Sequence, residues 1–288
     1  MKIQQKINWK QGMEITPEIF TESDNYHIAE RKLLGTLLAS HSYGIFPNSK
    51  FSIDYEIHNQ EMTLRISNGM ALVKNGEVIN IQENISFSKE LPVNEAVECY
   101  VVLSVIHNDK KQPDENALYV VPQHDISFVK TNDLIENGIP ILKICKKTLS
   151  WEIDVHYIPP SMALNSLPSL MNKYIEIKDI ICKIIDNFAE KDANYFMATL
   201  LQLDLNNFSS QKSPEALTQL MKKFCLIFQT YLKNVKKIEP LQSVKKFIDF
   251  LYNHNEIEKI IDVGMISLTE ILKIIETRPV PEIEEIKI

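Results

Sequence analysis

Glycine is scarce in this chain. Seven occur in 288 residues, and no two lie within four positions of each other. A loop that cradles phosphate through its backbone N–H groups needs closely spaced glycines, and neither GxGxxG nor GxxxxGK(S/T) occurs. Arginine is scarcer still. Arg31, Arg65 and Arg278 are the whole complement, which removes most bidentate grips on phosphate. With a net charge of −7, the chain also lacks the basic surplus of a nucleic-acid binder. The four cysteines, Cys99, Cys145, Cys182 and Cys225, form no CxxC and pair with no histidine motif. They read as reduced, buried thiols of a cytoplasmic protein. The seven histidines make no HExxH, HxH or triad signature, and His124 and Asp125 are neighbours in sequence, which do not face one another. Carboxylates cluster only at Glu282, Glu284 and Glu285, in the tail. No uninterrupted apolar run reaches the roughly 18 residues of a membrane span, and "MKIQQKINWK" has no apolar core of a secretory signal. The expectation is a non-enzyme with no cofactor, no metal, no nucleic-acid partner and no membrane insertion.

What is present is apolar and strongly patterned. Hydrophobic residues make up 44% and charged residues 24%, an ordinary globular balance, on a chain long enough for two cores. The apolar material starts early: "NWKQGMEITPEIF" puts Trp9, Met13, Ile15 and Phe20 where a free terminus is normally polar. Thr16 then Pro17 read as an N-cap and first helical position. Tyr26, Ala29, Leu33, Leu34, Leu37 and Leu38 follow at helical spacing, with Gly44 placed to end the helix.

From there the period becomes two. "FSIDYEI", "MTLRI", "GMALV" and "EVINI" alternate, the last two flanking the hairpin signal Lys74-Asn75-Gly76. Val97–Ile106 is almost wholly apolar and reads as a central strand buried on both faces. "ALYVV", "IPILKIC" and "WEIDVHYI" complete a series of antiparallel strands, read as a β-sandwich. At Pro159-Pro160 the pattern turns helical. Ser213-Pro214 starts a helix carrying Leu217, Leu220, Met221, Phe224, Phe228, Tyr231 and Leu232, and a last helix covers "IEKIIDVGMISLTEILKIIE" with an interruption possible at Gly264. The predicted class is α+β: a β-sandwich domain over 1–158, a helical bundle over 159–277 with a hinge at Pro159 and Pro160, and a flexible acidic tail over 278–288. The stripe around Ile175, Ile180 and Ile185 is wider than one neighbouring layer needs. Either it lies centrally in its own bundle or, with Leu217, Phe224 and Phe228, it forms a helical oligomer interface.

Four stretches in this order carry a resemblance. "INWKQGMEITPEIFTESDNY" contributes Trp9, Gly12, Met13, Ile15, Pro17 and Phe20, with Asp24 and Tyr26 behind them. "HSYGIFPNSKFSID" contributes Tyr43, Gly44, Ile53 and Asp54; "YIPPSMALNSLPSL" contributes Ile158, Pro159, Pro160 and Leu170; "LLQLDLNNFSSQKSPEALTQLMKKF" contributes Leu205, Asn206, Pro214, Leu217 and Leu220. Together they resemble the TssK family, baseplate adaptors of type VI secretion systems. The resemblance implies a sandwich related to the shell of phage receptor-binding proteins, a helical neck, a homotrimer and no enzymatic activity. It implies docking of the sandwich on the wedge subunits TssF and TssG, and a cytoplasmic place peripheral to the inner membrane. Trp9, Gly12, Met13, Ile15, Pro17 and Phe20 are then expected at a protein interface. The family's further C-terminal head is expected to be absent or reduced to the segment from Ser243, which leaves the membrane-side partner unidentified. The rival reading is a carbohydrate- or small-ligand-binding sandwich with a helical oligomerisation module, for which Tyr43, Phe46 and Trp151 are the candidate platform.

Overall fold

In a computed structural model of the chain, the described residues are 6–39, 42–58, 60–92, 98–106, 123–130, 135–147, 150–192, 195–234 and 237–277, without the side chains of 188–196. The expected strand "ALYVV", the start of the long strand at Val97 and the tail 278–288 lie outside them. The chain divides into two compact units, Met1–Asp154 and Val155–Ile288, and its class is α+β.

The first unit opens with helix α1, Pro17–Ala39. Among the described residues ten strands follow: β1 Gly44–Ile45, β2 Ser52–His58, β3 Glu61–Ser67, β4 Gly69–Leu72, β5 Val78–Ile81, β6 Ile85–Glu90, β7 Glu98–Ile106, β8 Gln123–Val129, β9 Ile139–Lys147 and β10 Ser150–Ile153. They form three antiparallel sheets, in the orders β1-β4-β5, β2-β3-β6 and β10-β9-β7-β8. Gly44, expected to stop the helix, instead opens β1, and α1 ends at Ala39.

The long apolar strand is central. β7 lies between β8 and β9, and Cys99–Leu103 are all buried, so both of its faces are covered. Its register with β9 shifts between Val101 and Val102, opposite Pro140. Proline has no N–H to give to the ladder, and a bulge absorbs that loss. The Asn75-Gly76 turn joins β4 to β5. Gly76 sits at φ +84°, where a side chain would be strained. Its N–H donates to the Val73 carbonyl at 2.9 Å, and the Val73 N–H donates to that of Glu77 at 2.8 Å.

The second unit is helical: α2 Pro168–Asp192, α3 Tyr195–Asn206, α4 Pro214–Asn234, α5 Gln242–Asp249 and α6 Ile257–Thr277. These helices enclose one apolar core, which includes Leu170, Ile177, Ile181, Ile184, Leu217, Met221, Phe224, Phe228, Phe247 and Leu268. α2 packs on both α3 and α6, yet of Ile175, Ile180 and Ile185 only Ile185 is buried. Gly264 does not interrupt α6. A Cβ there would come within 2.4 Å of Met221 Cε and 2.7 Å of Phe247 Cζ, so glycine lets α6 approach these two side chains. Pro159 and Pro160 are buried inside the second unit, next to the core residue Ile158, and the division of the chain falls earlier, between Asp154 and Val155.

Candidate interaction surface

Residues 6–16 turn back toward the first turn of α1. Gly12 turns the chain at φ +82°, and the Met13 N–H donates to the Lys10 carbonyl at 3.1 Å. This turn brings the Trp9 ring to the Phe20 ring, centroids 6.4 Å apart and tilted by 54°. Thr16 Oγ1 lies 3.5 Å from the Ile19 N–H at the start of the helix. The same hydroxyl hydrogen-bonds the Glu18 carboxylate and holds its pKa below the usual value. Pro17 takes the first helical position, where its missing N–H costs nothing.

The Trp9–Phe20 pairing leaves both rings in contact with solvent. Trp9, Met13, Ile15 and Phe20 are 37 to 58% exposed, and Gly12 and Pro17 are exposed with them. The structure thus gathers Trp9, Gly12, Pro17 and Phe20 into one local feature, with Met13 and Ile15 beside it.

Toward its C-terminal end α1 is anchored through a narrow stripe. Lys32 Nζ donates to Glu77 Oε1 at 2.6 Å, and Thr36 Oγ1 donates to the Asn75 carbonyl at 3.0 Å. Between them, Gly35 meets Gly76 so closely that a Cβ would stand 2.1 Å from the Gly76 carbonyl oxygen. Gly35 and Ala39 are the buried residues of this helix. At about 100° per residue the opposite face carries Leu33, Leu34, Leu37 and Leu38, and all four are 47 to 63% exposed. The sequence pattern makes the leucines the stripe expected to face inward, whereas the small and hydrogen-bonding residues do so. The signal was the Lys32, Gly35, Thr36, Ala39 series, a close-packing stripe opposite the leucines. Each leucine covered by a partner contributes about 1.5–3 kcal/mol.

The expected helical oligomer interface needs correction. Ile185, Leu217, Phe224 and Phe228 are buried in the core of their own unit. A side chain that fills its own core has no surface to offer a second chain. Of that set only Ile175 is exposed, and Ile180 is half-buried. Sequence reasoning also missed an outward row on α3, Met197, Leu200 and Leu203, and an exposed Leu226 on α4. The Asp204–Lys223 ion pair ties these two helices together at 2.5 Å.

Among the described residues, no group of three His, Cys, Asp or Glu side chains is placed to hold a metal, and no helix is long and apolar enough to cross a membrane. Burial pushes the Cys99 and Cys225 thiols up to about 12, and burial likewise raises Cys145 and Cys182, so none is a thiolate nucleophile near neutrality. Burial lowers the His124 pKa, and the adjacent Asp125 pairs with Lys89 instead. Lys143 is buried with its ammonium 2.8 Å from Glu98 and 3.9 Å from Asp154. Burial disfavours its charge, but the Glu98 hydrogen bond and neighbouring charges outweigh that and raise its pKa. Of the aromatic platform of the rival reading, Tyr43 and Trp151 are buried, with Lys74 and Lys146 over their rings at 5.0 and 6.0 Å, and Phe46 is half-buried.

No family model matches the chain, and no curated protein matches its sequence. Solved structures do match. One is a crystal structure of TssK, at TM-score 0.61 and 13% identity, covering 93% of this chain and 69% of that one. The chain has the fold of TssK. TssK from the EAEC type VI secretion system, in complex with nanobody nb18, matches at TM-score 0.62 and 12% identity over 88% of this chain and 68% of that one. A chain of the TssK–TssF–TssG baseplate subcomplex, seen by cryo-electron microscopy, matches at TM-score 0.62 and 14% identity over 95% of this chain and all of that one. The agreement with TssK thus extends across both units at an identity too low for the sequences to find each other.

Proposed function

We propose that the chain is a non-enzymatic structural adaptor of a type VI secretion baseplate. The observation that carries this reading is the first forty residues. In a chain with the TssK fold, nine large apolar side chains among the described residues there, Trp9, Met13, Ile15, Phe20, Ile28, Leu33, Leu34, Leu37 and Leu38, stand exposed. Isolated apolar residues on a surface need no explanation, but this many on one turn and one helix mark a contact with other chains.

In this reading the first unit is a sandwich shell and the second a helical neck. The outward leucines of α1 hold three copies together, and the Trp9–Phe20 turn meets wedge subunits of the TssF and TssG type. The assembled adaptor lies in the cytoplasm and links the baseplate to a membrane-side anchor. Its work is mechanical: covered apolar surface at standard interface size, about 1,600 Å² in total, holds the parts without chemistry.

Co-purification tests the wedge contact. Trp9→Ala with Phe20→Ala is expected to fold, because both rings are half-exposed, and to lose capture of co-expressed TssF and TssG. A folded double variant that captures both as well as the parent does would refute this part of the reading.

A further inference from the structure

A sheet edge presents unpaired N–H and C=O groups, and soluble proteins blunt such edges with lysine, proline, inward charges, short strands or covering elements. Most edges here are blunted. β1, β5 and β10 span only two to four residues. Lys89 protects two others. It stands on the same face of β6 as Ile85 and Phe87, an inward charge. Its Nζ donates to the Ile126 carbonyl of β8 and pairs with Asp125 at 3.3 Å.

Among the described residues, β2 has no lysine, proline, bulge or covering strand, and the charges it carries, on Asp54 and Glu56, are acidic. It is seven residues long, Ser52–His58, without lysine or proline. Its ladder with β3 runs in unbroken register from Ser52–Ser67 to His58–Glu61, so no bulge twists it away. Among the described residues, β3 is its one strand neighbour. Its two faces differ in chemistry. Ile53, Tyr55 and Ile57 lie opposite Ile66, Leu64 and Met62. Those three β3 residues are fully buried, yet Tyr55 is 46% exposed, so the apolar face stops one strand short of being covered. The other face puts Asp54 and Glu56 at the edge, both exposed, and Glu61 and Glu90 carry the acidic character across β3 and β6. Arg65 is the one lysine or arginine on that face of the three strands.

We propose that the free edge of β2 accepts, as an added strand, an extended segment of a partner protein in which apolar residues alternate with lysine or arginine. The apolar positions extend the Ile53, Tyr55, Ile57 row and cover Tyr55. The basic positions fall beside Asp54 and Glu56. Main-chain hydrogen bonds supply affinity and the alternation supplies specificity.

A second copy of this chain is the wrong occupant. Two antiparallel β2 strands that keep their apolar residues on one face set Asp54 against Glu56, Asp54 against Asp54 or Glu56 against Glu56 in every central register. Parallel in-register pairing stacks each on itself, and like charges directly opposite are destabilising. The edge therefore selects a basic partner and disfavours self-pairing. This surface is separate from the α1 leucines, and its test stands whether or not the adaptor reading does.

The test uses the full chain and a short fluorescein-labelled peptide of alternating valine and lysine. Binding is expected to raise the anisotropy and to slow amide hydrogen exchange across residues 52–58. Asp54→Lys with Glu56→Lys is expected to weaken binding about tenfold or more. Asp54→Asn with Glu56→Gln is expected to weaken it less, and serves if the charge reversal does not fold. The deciding control is the same peptide N-methylated at alternate residues, which keeps every charge but cannot pair. Equal binding of that control overturns the proposal, since charge attraction alone then suffices. So does equal binding of a valine–glutamate peptide, absence of binding at millimolar peptide, or protection of residues 52–58 that grows with the chain's own concentration.

Discussion

Helices α1 and α4 have nearly the same length, 23 and 21 residues, and each starts with a proline at its first position. Their burial is opposite. α4 sinks Leu217, Met221, Phe224, Phe228, Tyr231 and Leu232 into its unit, with the Phe224 and Phe228 rings stacked at 6.0 Å. α1 buries only Gly35 and Ala39 and turns its leucines to solvent. Helical spacing of apolar residues thus fixes that a helix forms and that one face needs cover. It does not say whether the cover comes from the same chain. The small residues opposite decide that, because they bring the backbone of α1 onto the 75–77 turn.

The largest effect expected from this contrast is in α4. Phe224→Ala or Phe228→Ala leaves a cavity in a fully buried site and should cost about 3–5 kcal/mol in urea unfolding. A loss below about 1 kcal/mol would mean that α4 is not core. Next comes Gly35→Ala. Its methyl meets a backbone carbonyl, not the end of a flexible side chain. It should lift α1 off the turn at a cost of about 1–3 kcal/mol, seen as faster amide exchange at residues 75–77.

Lys32→Ala removes a pair whose lysine is more than a third exposed, 39% against 14% for Glu77. It should cost only about 0.5–1 kcal/mol by the same unfolding measurement. Leu34→Lys with Leu38→Lys should leave the stability of the single chain within about 0.5 kcal/mol, in contrast to any lysine placed at Phe224 or Phe228.

The smallest effect is a pH effect on α1. The Thr16 hydroxyl lowers the Glu18 pKa, so the carboxylate's contribution is present above the ordinary carboxylate range and fades as pH falls through the lowered value. Fraying of the first turn of α1, followed by NMR, should set in over that acidic window, and Glu18→Gln should abolish the pH dependence.

Much of the architecture was legible because it rests on local chemistry. The Thr16-Pro17 start of α1, the Asn75-Gly76 turn, the buried β7 and the Ser213-Pro214 start of α4 each follow from what those residues do to their own backbone. What failed depends on neighbours distant in sequence. Leu217, Phe224 and Phe228 read equally well as core or interface, because stripe width counts adjacent layers and not their chain of origin. Gly264 read as a break because its reason, room for Met221 and Phe247, lies on α4 and α5. The candidate surface was half legible: Trp9, Met13, Ile15 and Phe20 drew attention by being apolar at a terminus, while the leucines of α1 were legible only as a helical stripe.

The account's central claim is that the apolar face of α1 is covered by other copies of the chain. Light scattering of the purified full chain at micromolar concentration tests it most directly, beside the Leu34→Lys, Leu38→Lys variant. The account predicts the mass of three chains for the parent and of one folded chain for the variant. A parent that runs as a single chain, or a variant that keeps the parent's mass, would contradict it.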